Sequence, residues 1–297
     1  MPRFELGASS SRTKRSARLS YTPPKDTTLA QFADRNQPRC YHRAMRVLRL
    51  GNSVDAISTV PDEGRAYRLV ERMFEERTGQ PLKTSFKRIE PRPTMPLIMD
   101  RWMAEFEPDI ALLIINQFWY GYASAPKKLE KMGRTGKLVA RAGFKAAAIP
   151  WVAHNPVFRF ARGTARRTVG ASYLYEPEQV VESMKACITL LREKHAGVPL
   201  GVWSENAAVL HGQDKRLGRE LLARRKAVHG PLREFCAAVD VPHYLLDKPP
   251  KPIDFRELRD VDHIHLNAAG HQYVADTQLD LVLELAARAR AAQAAAP

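Results

Sequence analysis

Two short stretches of this 297-residue chain carry side chains of the right types and spacing for nucleophilic chemistry. In the first, Met45, Val47, Leu48 and Leu50 form an apolar run that halts at Gly51-Asn52-Ser53. That pattern is a buried strand ending in a tight turn, with Ser53 at its C-terminal edge. In the second, Asp262 precedes His265 by three residues, just ahead of a C-terminal helical segment. A hydroxyl is a poor nucleophile near neutral pH and needs a base, and an imidazole with an ordinary pKa of about 6.5 suits that work. The ring must be held in one tautomer by a carboxylate, and two residues three apart on a short loop can meet without long-range folding. The roles that follow are Ser53 as nucleophile, His265 as base and then acid, and Asp262 as orienter. His263, one residue from Asp262, is the local rival of His265. Asp55 could reach the Ser53 hydroxyl, although a carboxylate so close to a turn more commonly bonds the turn itself. His42, His154, His195, His211, His229, His243 and His271 lack a carboxylate at comparable spacing and read as structural or exposed.

A strand-end serine followed much later by a DxxHLN segment resembles the SGNH (GDSL-type) serine hydrolases. The family's first block, Gly-Asp-Ser, stands here as Gly51-Asn52-Ser53, and its third, Gly-x-Asn-Asp, as Ile114-Ile115-Asn116-Gln117. In the last block Asp262, His265, Leu266, Asn267 and Gly270 are all in place. The glycine of the second block has no counterpart in Glu90-Pro91-Arg92-Pro93, so the chain resembles a divergent member. The resemblance implies an acyl ester hydrolase working through an acyl-Ser53 intermediate. Ser53 N–H and the Asn116 side-chain amide would form the oxyanion hole, and no cofactor would be needed. Two alternatives use the same scaffold. One is an acyltransferase or thioesterase-like enzyme taking a carrier-bound or phosphate-bearing acyl donor. The other is a catalytically inactive binding protein.

The elements that must position these residues alternate. Ala66, Leu69, Val70 and Met73 share one face of a helix expected over Glu63–Arg77, with Gly79 as its stop. A strand is expected over Pro81–Ile89, a helix over Met95–Phe106 and a doubly covered strand over Ile110–Ile115, which delivers Asn116 to the edge that carries Ser53. Alternation resumes with a helix over Pro177–Glu193, a strand over Val198–Trp203, a helix over Lys215–Val239 broken at Gly230-Pro231, and a strand over Val241–Leu246. The stiff Pro249-Pro250-Lys251-Pro252 loop leads to Asp262, and Asn267 caps the final helix. The expected fold is α/β, a three-layer α/β/α sandwich with a mainly parallel sheet of about five strands, SGNH-hydrolase or flavodoxin-like.

Residues 118–175 interrupt that order as a lid-like basic helical insertion within a single domain spanning 41–297. Phe118, Trp119 and Tyr120 open it beside Asn116 and are the candidate substrate-binding residues. Lys137, Arg141 and Lys145 recur every four residues, with Leu138, Ala142, Ala146 and Ile149 expected opposite them. The net charge of +15 is concentrated. Residues 1–40 hold 8 Lys/Arg against 3 Asp/Glu, and residues 126–170 hold 11 against 1, leaving a neutral remainder. The first is expected to be a polar basic arm. The second could contact an anionic membrane surface or an acidic carrier protein, and nucleic acid is disfavoured because the aromatics sit beside Asn116 instead of along a basic groove. The substrate class is a small-molecule or lipid-like acyl ester. Three cysteines without metal-ligand spacing, no HExxH, no phosphate-binding glycine motif and no signal-like N-terminus lead to the expectation of a metal-free, cytoplasmic protein.

Overall fold

Apolar runs form the central strands of the sheet, and helices with one apolar face cover it. A computed structural model describes residues 43–51, 60–121, 125–130, 132–147, 152, 155–158, 160–161, 164, 172–204, 215–246, 257–260 and 265–295. These residues belong to one compact unit, His42–Pro297. The expected arm over 1–40 lies outside them, as do Asn52, Ser53, Asp55, Pro249–Pro252, Asp262 and His263.

The strands are β1 (Met45–Gly51), β2 (Leu82–Arg88), β3 (Ile110–Ile115), β4 (Leu200–Ser204) and β5 (His243–Leu245). They pair in the order β2-β1-β3-β4-β5, and every pairing is parallel. This is the doubly wound order in which the chain runs outward from β1 to β2 and then crosses back to β3. The register Leu50↔Leu113 therefore sets the C-terminal ends of β1 and β3 side by side at the switch point. All six residues of β3 are buried. Ile110, Leu112 and Ile114 face one core cluster, while Ala111, Leu113 and Ile115 face the other.

On one side of the sheet lie α1 (Ala66–Thr78) and the last helix, α8 (Ala268–Ala294). On the other lie α2 (Met95–Phe106), α6 (Pro177–Lys194) and α7 (Lys215–Ala238). The three-layer architecture expected from the sequence is the one observed. One boundary expectation is corrected. The helix over Lys215–Ala238 runs through Gly230-Pro231 without a break, because Leu221, Val228, Leu232 and Cys236 form a single buried stripe. Burying that stripe outweighs the hydrogen bond that proline cannot make.

Between β3 and α6 lie α3 (Phe118–Gly121), α4 (Ala125–Glu130) and α5 (Gly133–Ala147). The orientation expected for α5 is also corrected. Among its described side chains, Gly136 and Ala140 are buried, whereas Leu138 and Ala142 are exposed together with the cations. The reason is a close helix approach. A side chain at Gly136 would collide with the Leu129 carbonyl, so Gly136 and Ala140 form the packed seam while Leu138 and Val139 are left outside.

Candidate active site

Asn116 directly follows β3 at the switch point and is only 1% exposed. Its Oδ1 accepts the Phe118 N–H at 2.7 Å, which fixes the amide plane. Its Nδ2 is buried and has no hydrogen-bond partner among the described residues. A buried amide N–H without an acceptor is costly, of the order of 1–3 kcal/mol, unless something else accepts from it. A preorganised donor with spare capacity suits a negatively charged oxygen.

His265 is half-buried and stands on a turn that is tied down on both sides. Arg259 and Leu266 form an antiparallel bridge, and Asp260 N–H donates to the His265 carbonyl at 2.8 Å. Two residues on, Asn267 caps α8 by accepting the Gly270 N–H at 2.9 Å. The Asn267 Nδ2 donates in turn to the carbonyls of Glu257 at 2.6 Å and Arg259 at 3.2 Å. Gly270 is required there, since any side chain would strike the Leu258 carbonyl. The DxxHLNxxG pattern is thus read physically from its second half. Asn267 and Gly270 lock the turn that presents His265.

α8 is itself fixed to the strand that leads to Ser53. Arg49 on β1 is 2% exposed and donates from Nη1 to Gln278 Oε1 on α8 at 2.6 Å. Ala66 N–H donates to His271 Nδ1 at 3.3 Å, joining the first turns of α1 and α8. Arg49 and Gln278 were missed in the sequence because a lone arginine in an apolar run reads as an outward-facing residue. The strand's two-sided burial is the signal that contradicts this.

The candidate substrate-binding aromatics divide. Trp119 and Tyr120 are 2% and 0% exposed and belong to the core, so they shape the site from beneath, and Phe118 keeps partial exposure. The Tyr120 hydroxyl lies 2.7 Å from His229 Nε2 on α7. The His229 ring stacks on His243 with centroids 6.3 Å apart, and His243 Nε2 lies 2.8 Å from Ser204 Oγ at the end of β4. Burial pushes His229 down to about 3, helped by the neighbouring His243 and Arg225, and pushes His243 down to about 4, helped by Arg233. Both rings are therefore neutral at neutral pH and form part of the scaffold.

Arg224, also on α7, holds the two ends of the insertion together. Its Nε donates to the Tyr120 carbonyl at 2.7 Å and its Nη2 to the Tyr175 carbonyl at 2.8 Å. Its Nη1 pairs with the Glu176 carboxylate at 2.8 Å, and its guanidinium lies 3.8 Å from the Tyr173 ring centroid. Tyr175 N–H also donates to the Trp119 carbonyl at 3.0 Å.

The second-block position is occupied by a charged cluster. Ile89 N–H donates to the Gly51 carbonyl at 2.7 Å. Glu90 then pairs with Arg88 at 2.8 Å and with Arg92. A cavity of about 330 Å³ lies elsewhere, at the opposite edge of the sheet beside Pro199 and Leu200 where β4 begins, away from Asn116. Among the described residues no group of His, Cys, Asp and Glu is arranged to hold a metal ion.

No protein-family model and no curated protein matches this chain. Solved structures similar to it include the psychrotrophic esterase EstA from Pseudoalteromonas sp., at 10% identity and TM-score 0.45, covering 80% of this chain and 97% of that one. The aryl esterase of M. smegmatis is similar at 11% identity and TM-score 0.46, covering 82% and 100%. A protein of the G-D-S-L family from Desulfitobacterium hafniense DCB-2 is similar at 6% identity and TM-score 0.44, covering 80% and 99%. Likeness at this level transfers no activity to this chain.

Proposed function

We propose that this chain is a serine ester hydrolase of the SGNH type, acting on a small-molecule or lipid-like acyl ester. The observation that carries the reading is Asn116. It is a buried, oriented amide at the sheet's switch point, beside the strand that leads into Ser53, and its Nδ2 has no partner among the described residues. Support comes also from His265, held on a capped and bridged turn by residues of its own motif.

In this reading Ser53 Oγ attacks the ester carbonyl carbon while His265 takes the hydroxyl proton, and Asp262 holds the ring in the tautomer that can accept it. The carbonyl oxygen becomes an oxyanion, which accepts from Asn116 Nδ2 and Ser53 N–H. The carbon–oxygen bond to the alcohol breaks, and the leaving oxygen takes its proton from His265. Water then attacks the acyl-Ser53 carbonyl and gives a proton to His265. The tetrahedral species collapses to release the carboxylic acid, and Ser53 regains its proton. No step needs a cofactor.

The test is hydrolysis of p-nitrophenyl acetate and longer p-nitrophenyl esters in buffer alone. Wild type should turn these over, Ser53→Ala should abolish turnover, and Asn116→Ala should lower kcat about 100- to 1000-fold. Turnover that appears only with an added alcohol or amine assigns an acyltransferase instead. Equal rates for wild type and Ser53→Ala, neither above buffer alone, would leave a binding protein on this scaffold.

A further inference from the structure

We propose that the insertion after β3 carries a docking surface for an anionic lipid bilayer, centred on the outward face of α5. Among the described residues, eight large apolar side chains stand exposed, and five of them fall in this one segment. They are Met132 at 63%, Leu138 at 67%, Val139 at 54%, Val157 at 75% and Phe160 at 74%. Scattered single apolar residues are ordinary on a surface, but a concentration of this kind is not.

The charge around them has one sign. Residues 126–170 contain 11 Lys/Arg and a single acidic residue, Glu130. Arg134, Lys137, Arg141 and Lys145 are all exposed, and none has an ion-pair partner among the described residues. At the α-helical rotation, Arg134, Arg141 and Lys145 lie within about 60° of Leu138 on the cylinder. Leu138 therefore shares a face with three cations, and Val139 flanks that face. This arrangement suits an interface in which Leu138 and Val139 enter the acyl boundary while the long basic side chains snorkel to lipid phosphates.

The fold explains why the face is left open. The Gly136–Ala140 seam satisfies the inward side of α5, so Leu138 and Val139 have no further partner within the described chain. A nucleic acid would use the cations but would gain little from aliphatic side chains, which neither stack on bases nor contact phosphate. Among the described residues no helix is long and apolar enough to cross a membrane, so the contact is peripheral. The insertion begins two residues after Asn116 and is clamped at its base by Arg224. Docking would thus bring a bilayer to the same chain segment that carries the proposed oxyanion donor. The consequence for substrate choice rests on the ester-hydrolase reading, whereas the docking itself does not.

The experiment is co-sedimentation of the full-length protein, made inactive by Ser53→Ala, with vesicles of phosphatidylcholine alone or mixed with phosphatidylglycerol. Inactivation separates binding from hydrolysis, so failure here says nothing about the active site. Binding should be strong only to the anionic vesicles. Leu138→Ser/Val139→Ser should weaken it about 10- to 30-fold through lost apolar burial. Lys137→Glu/Arg141→Glu/Lys145→Glu should weaken it about 100-fold or more, at roughly tenfold for each charge or better. Circular dichroism of both variants should be that of the parent, since the altered residues are exposed. The proposal is overturned if the parent ignores anionic vesicles, or if both variants bind as the parent does, which would assign binding to the basic arm. It is also overturned if a single-stranded oligonucleotide binds tightly and Leu138→Ser/Val139→Ser leaves that binding unchanged while vesicle binding is absent.

Discussion

The buried chain Tyr120–His229–His243–Ser204 makes a quantitative demand on stability. Each ring titrates at about 6.5 in the unfolded chain, against about 3 for His229 and about 4 for His243 in the fold. A base whose folded pKa is depressed contributes stability that is fully present above the unfolded value and is lost as pH falls towards the folded one. Between pH 6 and about 4.5 the unfolded chain binds a proton at each ring and the native chain does not. The slope is then about 1.4 kcal/mol per pH unit for each ring and about 2.7 for the pair. From pH 7.5 to 4.5 the loss is about 5 kcal/mol, a large fraction of the 5–15 kcal/mol typical of a domain. Urea denaturation across that range measures it, and Tyr120→Phe/His229→Phe isolates one ring while replacing both hydrogen-bonding partners by apolar groups of similar shape. The double variant should lose stability less steeply than wild type, by about 1.4 kcal/mol per pH unit between pH 6 and 4.5. Parallel pH profiles for the two proteins would refute a buried neutral His229.

Arg224→Ala should cost about 3–5 kcal/mol, because it strands the Tyr120 and Tyr175 carbonyls and removes an ion pair, as a thermal or urea melt would record. Arg224→Lys keeps the charge but not the forked geometry, so it should recover less than half of that loss, and limited proteolysis of Arg224→Ala should cut first within residues 122–171. Asn267→Ala should destabilise by about 1–2 kcal/mol through the lost cap and also lower ester turnover, since the same side chain secures the turn under His265. Unchanged turnover at full folding would show that this turn does not position the base. Arg49→Leu should be milder than Gln278→Leu, because the latter leaves a buried guanidinium without its 2.6 Å acceptor; equal melting temperatures would contradict that ordering.

Much of the scaffold is legible in the sequence because periodicity reports burial directly. α2 and β3 are found over the residues that the pattern marks, and Asn267 caps α8 as its type and position require. The misreadings share one cause, since each depends on what a neighbouring element does. Pro231 reads as a break until the buried stripe on α7 is seen to outweigh it. Leu138 reads as lying opposite the cations until Gly136 is found at the seam. Trp119 and Tyr120 read as pocket walls because they adjoin Asn116 in sequence, yet α3 turns both rings into the core. The bond from Arg49 to Gln278 spans 229 residues and those from Arg224 to Tyr120, Tyr175 and Glu176 span about 50 to 104, so neither can be read from local pattern. At the site, Asn116 and His265 are legible as residue types at strand and helix ends, whereas the networks that hold them are not.

The central proposal is that Ser53 is an activated nucleophile and Asn116 the oxyanion donor. The most direct measurement is reaction of the full-length protein with a fluorophosphonate, followed by peptide mapping of the modified residue. The account predicts one equivalent of label, on Ser53, and strongly slowed labelling in His265→Ala and Asn116→Ala variants that remain folded. Label on another residue, or no label on a folded protein, would contradict it.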